Sequence, residues 1–170
     1  MVLSFKELKK RKAYTRIVKW KKFADNEPDK IKRFIFRWIS FNGLYSALYS
    51  MEYGQEKTED TSDNEKMEHF LNNFILTNRI PAEEIYSDTI KNVFKKEIKK
   101  DTRGIGDLLK NLECKKNVKE KVRNMIKIAY KIRCRLFHGE KNPLLDVNEK
   151  VSNAADQVIA PILNYIIQEQ

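Results

Sequence analysis

His138 lies in the stretch YKIRCRLFHGEKNP, residues 130–143, and is one of only two histidines in the chain. Arg133, Cys134 and Arg135 precede it; Gly139, Lys141 and Pro143 follow. An imidazole that titrates near neutrality can take or give a proton. A guanidinium can hold the non-bridging oxygens of a phosphate as negative charge builds on them. RNA carries its own nucleophile, the 2′-hydroxyl. One His and one or two Arg therefore suffice, in principle, to cut a phosphodiester without a metal. Lys141 can reach a phosphate from the loop, or simply sit in solvent.

The same residues have a plainer account. Arg near a helix C-terminus matches the negative pole of the helix dipole. Gly139 is well placed as a left-handed C-cap, with Pro143 beyond it. On an ideal helix Arg135 is about 60° around the axis from His138 and Arg133 about 140°. Arg133 and His138 then serve one site only if the helix distorts over Leu136–Gly139, or if a second subunit supplies part of it. Cys134 and His138, four apart, do not by themselves make a metal site. Cys114 and Cys134 read as reduced thiols, too few for a disulfide framework. His69 sits near the apolar stripe of its helix and reads as a structural or surface residue. No paired-His metal motif, nucleophile elbow or Walker A sequence occurs, and Arg103-Gly-Ile-Gly106 follows no strand, so it reads as a loop.

The elements that must position these residues are helical. The chain has 170 residues, 41% hydrophobic and 34% charged, with only five Gly and four Pro. That length suits one domain, residues 1–170, with a core of its own. Apolar spacing predicts one basic amphipathic helix over 4–24. Pro28 is placed to open the next helix, 29–53, which is apolar almost all round and should be buried. Residues 54–61 read as a polar loop. Ser62-Asp-Asn-Glu65 has capping-box spacing and should start a helix to about Leu76. Pro81 should open another, to about Lys100, followed by a short helix over 107–113. Asn117 should cap a helix with Val122, Met125, Ile126, Ala129, Ile132 and Leu136 inward. A last helix, 147–168, contains Pro161, which should kink or offset it. The fold class is all-α: an up-and-down bundle of four to five long helices with short helices inserted.

Charge is unevenly spread over a net +10. Residues 1–37 hold 13 Lys/Arg against 4 Asp/Glu, and residues 91–135 hold 16 against 5. Residues 52–88 are acidic, with 3 against 10. Basic blocks of this kind suit a polyanion, because clustered cations displace the counterions of phosphates. They equally describe a solvated helix surface. The start of the sequence has no signal-like apolar run. The most apolar segment, 31–51, is broken by Lys32, Arg33, Arg37 and Asn42, so no membrane span is expected and a cytoplasmic location is.

Arg133-Cys-Arg-Leu-Phe-His138-Gly resembles the RxxxxH signature of the HEPN superfamily, an all-α group. Phe36-Arg-Trp-Ile-Ser-Phe-Asn-Gly-Leu-Tyr45 is similar to the FW-x-x-FN-x-LY stretch of bacterial HEPN proteins whose later helix reads IR-x-x-LFHG-x-K. The resemblance spans roughly residues 30 to 145. It implies a helical bundle that dimerises, so that two motifs meet in one cleft. Such a cleft removes the need for Arg133 and His138 to share a helical face. Many members are metal-independent endoribonucleases of toxin–antitoxin or defence systems. Others are inactive, and bind RNA, nucleotides or partner proteins.

Carried onto this chain, the resemblance makes His138 the general acid/base and Arg133 the stabiliser of the charged transition state. Arg135 and Lys141 would position the RNA backbone. No cofactor is implied. The implied partners are RNA, a second copy of the chain, and an antitoxin or a nucleotidyltransferase. One departure matters: active members often have Asn, Asp or His after the motif Arg, where this chain has Cys134, a weak donor. Asn42, on the stripe with Trp38, Tyr45 and Tyr49, must find a hydrogen bond if buried. Two alternatives stand for it: a bond to a neighbouring helix or the loop at Gly139, or a role in orienting His138 or Arg133.

Overall fold

Every regular element among the described residues is a helix. The computed structural model describes residues 5–98, 105–114, 117–139 and 146–168. In chain order these form α1 (Phe5–Lys9), α2 (Lys12–Asp25), α3 (Lys30–Tyr53), α4 (Gln55–Asp60) and α5 (Asp63–Phe70), which a π-helical turn (Leu71–Ile75) extends. Then come α6 (Ala82–Ile85), α7 (Asp88–Ile98), α8 (Gly106–Cys114), α9 (Val118–Phe137) and α10 (Asp146–Gln168). The described residues form the expected all-α bundle, with the short helix α1 ahead of α2 and the others between α3 and α9.

Helix α3 is central because it has almost no polar side to give to water. Phe34, Trp38, Phe41, Leu44, Tyr45 and Leu48 are all at most 1% exposed. Its aromatic rings start a ladder that crosses the core. Trp38 meets Phe41 edge-on at 5.4 Å, Phe41 meets Phe70 at 5.3 Å, Phe70 stacks on Phe74 at 5.2 Å, and Phe74 stacks on Phe5 at 5.4 Å. Such rings bury large areas and add pair energies in these geometries. Helices α2, α5 and α10 pack directly against α3, and α9 closes the bundle against α10. Helix α10 runs through Pro161 as one helix.

A polar seam joins α2, α3 and α10 inside this packing. Arg37, 5% exposed, donates from Nε to Asp156 Oδ1 at 2.8 Å and from Nη1 to Asp25 Oδ1 at 2.5 Å. Arg33 reaches Asp156 Oδ2 at 3.2 Å and Asn153 Oδ1 at 2.6 Å. Burial acts to lower the Arg37 pKa, but bonds and charge from Asp156 and Asp25 outweigh it, so the guanidinium is held above its ordinary value.

Several sequence expectations are corrected. The helix expected over 4–24 breaks at Lys10–Arg11, with Arg11 extended at φ −92°, ψ 146°. The break lets Phe5 and Leu8 of α1 join the core independently of α2. Pro28 does not open α3; Asp29 does, its carboxylate accepting from the Ile31 and Lys32 amides that a helix start leaves open. Residues 55–60 are not loop but helix α4. Gly54, at φ +87°, turns the chain there, and Thr58 is buried and donates to the Gly54 carbonyl at 2.7 Å. The helix expected from Pro81 to about Lys100 is split at Tyr86–Ser87, because Tyr86 is extended at ψ 131°. The Ser62–Glu65 capping box forms as its spacing demands, but α5 then passes into the π turn rather than running regularly to Leu76. No helix among the described residues is long and apolar enough to cross a membrane.

Candidate functional site

Helix α9 carries the expected site at its C-terminal end. Its start is fixed by Asn117, whose side chain accepts from the Lys119 amide at 2.9 Å. Val122, Met125, Ile126, Ala129 and Ile132 face the core as expected. The helix stays regular to Phe137, and His138 is its cap, donating from its backbone amide to the Cys134 carbonyl at 2.9 Å. Gly139 follows at φ +69°, the left-handed conformation expected of it.

Because the helix does not distort before Gly139, Arg133 and His138 lie on different sides of it. Arg133 turns toward α5, its side chain 26% exposed. Its guanidinium lies 4.8 Å from the Phe137 ring centre, and Nη1 approaches Cys134 Sγ at 3.8 Å. His138 and Phe137 are exposed. Arg135, expected beside a phosphate, is instead buried at 7% exposure. Lys141 lies outside the described residues.

Asp63 is the residue that sequence reasoning missed. It follows the Ser62 cap, in the first turn of α5, where the helix dipole favours a carboxylate. Tyr45 donates its hydroxyl to Asp63 Oδ1 at 2.7 Å, and Asn42 donates to the same oxygen from Nδ2. The other oxygen faces Arg133 Nη1 at 3.8 Å. Asn42 also approaches the Tyr45 hydroxyl at 2.6 Å. Asn42 therefore bonds a neighbouring helix and, through Asp63, bears on Arg133. Of the two alternatives open at the sequence level, the bond to a neighbouring helix is the one formed, at Asp63.

Local fields follow from this arrangement. Burial, and then the charge of Asp63, push the Tyr45 hydroxyl far above its ordinary range, so it remains a donor. Tyr130, one turn before Cys134 on α9 and 5.9 Å from the Trp38 ring, is pushed up to about 12, by burial first and then by Cys134 and Asp63. The cluster thus holds two phenols whose hydroxyls stay protonated, and Asp63 faces Arg133 in a position to orient it.

The Arg133 contact also belongs to a seam between α5 and α9. Glu68 accepts from Arg123 Nη2 at 3.0 Å and pairs with Lys127 Nζ at 2.5 Å. Burial acts to raise Glu68, yet its bonds to Lys127 and Arg123 outweigh burial and hold it below 4.5. A carboxyl depressed in the folded state stabilises the fold above its unfolded pKa, and that stability is lost as pH falls through the folded value. Glu68→Gln should therefore flatten the acid limb of stability. The gap between wild type and E68Q in urea midpoint should be widest near pH 6 and close as pH falls below about 4.5. A constant gap from pH 6 to 3 contradicts the assignment.

His69, read from the sequence as structural or surface, packs edge-on to Tyr49 and Tyr53, with Nε2 at 3.1 Å from Glu52. Among the described residues no three His, Cys, Asp or Glu side chains converge on a common point. No family model matches the chain, and neither the curated proteins nor the solved structures contain a match.

Proposed function

We propose that this chain is a HEPN-type endoribonuclease that works as a homodimer and needs no metal. The observation that carries this reading is the pairing of motif and support. The RxxxxH residues Arg133 and His138 end one helix, and Asn42 of the FNGLY stretch reaches Arg133 through Asp63. His138, exposed at the helix cap, removes the 2′-hydroxyl proton of bound RNA. The 2′-oxygen attacks the adjacent phosphorus and the P–O5′ bond breaks. The 5′-oxygen leaves with a proton, giving a 2′,3′-cyclic phosphate and a 5′-hydroxyl. Arg133 stabilises the charge on the non-bridging oxygens. Since Arg133 and His138 point apart on one helix, the two members of a working pair come from different protomers across a cleft.

The reading is tested by incubating RNA with wild type and H138A in excess EDTA. Cleavage by the wild type alone, leaving cyclic-phosphate ends, supports it. Equal cleavage by both, or none by a folded wild-type dimer, sinks it.

A second reading is a non-catalytic module that binds RNA, a nucleotide or a partner protein. Two observations favour it: Cys134 follows the motif arginine, and Arg133 is engaged by Asp63 in the α5–α9 seam. It expects RNA binding that survives H138A and weakens steeply with salt, with no cleavage.

A further inference from the structure

The two basic blocks are not equivalent once folded. In the second, Arg123, Lys127 and Arg133 face Glu68 and Asp63, so part of its charge is neutralised internally. In the first, helix α2 presents Lys12, Arg16, Lys19 and Lys22 exposed and with no carboxylate partner among the described residues. Lys12, Arg16, Lys19 and Phe23 fall within about 60° of one another around an ideal helix axis, and span about 16 Å along it. The stripe ends in an aromatic side chain that is 62% exposed.

Two hollows flank this stripe. One, about 490 Å³, lies between α2 and α3, with Arg11, Lys12 and Arg16 on one wall and Asn42, Ser46 and Ser50 opposite. No acidic residue lines it. The two helices approach closely at its base, where a Cβ placed on Gly43 would meet Ile17 Cγ1 at 3.3 Å. The other hollow, about 540 Å³, is bounded by Lys19, Lys22, Phe23 and Asn26. Trp20 lines the first hollow and Phe23 the second, with their ring centres 5.8 Å apart.

We infer that this face of α2 is a docking track for single-stranded RNA, with phosphates along Lys12, Arg16 and Lys19 and bases in the flanking hollows against Trp20 and Phe23. The inference rests on the reading of the chain as an RNA-directed protein, and adds the surface that holds the strand. Three observations select this occupant. Unpaired cations spaced by one helical turn match a polyanionic backbone. Aromatic faces beside them offer stacking, which sequence-tolerant single-strand binders use. Hollows of this volume admit a base. The track also leads to the motif region, since Asn42 lines the α2–α3 hollow and bonds to Asp63 on its other side.

The test uses the full chain in an H138A background and a labelled single-stranded oligoribonucleotide, with binding read by anisotropy across a salt series. Reversing Lys12, Arg16 and Lys19 to Glu should weaken binding at least 30-fold and lower the salt slope by about 2, three contacts at about 0.7 each. The same change in net charge at the exposed Lys32, Lys96 and Lys110 should cost less than 3-fold. Phe23→Ala should weaken binding several-fold with an unchanged salt slope. Ser46→Trp, which fills the α2–α3 hollow without altering charge, should also weaken it. Melting curves identify any variant that has lost its fold. Equal losses for the two triple reversals overturn the proposal, as do undiminished binding in the α2 triple, equal affinity for duplex RNA, or a preference for polyglutamate. Binding that follows α2 in a chain that never cleaves RNA leaves the track standing and removes only the nuclease reading.

Discussion

Asp156→Ala should cost the fold about 3–5 kcal/mol, the range for removing one partner from a buried ion pair. Asp156 is 4% exposed and accepts from two arginines of α3. Its loss leaves Arg37, itself 5% exposed, with a single carboxylate, Asp25, and leaves Arg33 with the amide of Asn153. Neither remaining partner can follow the charge into the space vacated on α10. The exposed pair Lys30–Glu149 joins the same two helices, with side chains 45% and 43% exposed, and so provides the contrast. Breaking it with Glu149→Ala should change stability by no more than about 1 kcal/mol. Urea unfolding of both variants decides the matter. An Asp156→Ala midpoint indistinguishable from that of Glu149→Ala would falsify the view that the seam is a structural clamp.

The second large effect is expected at the end of α9. On the nuclease reading, H138A should lower the single-turnover cleavage rate by about 10²–10⁴, the usual contribution of a positioned acid or base. Arg133→Ala should lower it by about 10²–10³, as for loss of one charge-stabilising donor. The two must differ in their effect on stability. His138 is exposed and should leave the urea midpoint unchanged, whereas Arg133 pairs with Asp63 and covers Phe137, so its removal should loosen the fold. Asp63→Asn separates positioning from scaffolding. It keeps an oxygen for Tyr45 and Asn42 but removes the charge facing Arg133. If Asp63 positions Arg133, D63N should lower the cleavage rate with little change in RNA affinity. Should D63N change the melting temperature and not the rate, Asp63 serves the α5–α9 seam alone.

The parts of the fold legible in sequence were those governed by local chemistry. Ser62, Asn117 and Gly139 act within a few residues of themselves, so their capping roles follow from type and spacing. The stripe on α9 follows from period alone. Tertiary packing decided the rest. Nothing local marks the break at Lys10–Arg11, which arises because Phe5 finds Phe74 across the core. Residues 55–60 looked like a loop because they are polar, yet one buried threonine and the turn at Gly54 suffice to wind them. At the site, the RxxxxH spacing was visible, while the partner of Arg133 was not. Asp63 lies 70 positions earlier, between the two residues of the capping box, where its type is not constrained by the cap. The one available signal was coarse: an acidic block lying between two basic ones, as its pairing with the second now accounts for.

The seam at Arg37 also sets a schedule for synthesis. Asp156 comes 119 residues after Arg37, so a growing chain makes the central helix long before the anion that settles its buried guanidinium. At about 5–20 residues per second, that interval lasts about 6–24 s. Until α10 emerges, α2 and α3 can pair, but the face of α3 that α10 covers stays open, with Arg37 lacking Asp156. The nascent protein should therefore be a client for chaperones that shield apolar surface. The closing of this bundle should be a late event triggered by the arrival of α10, rather than a gradual one that follows the order of the sequence.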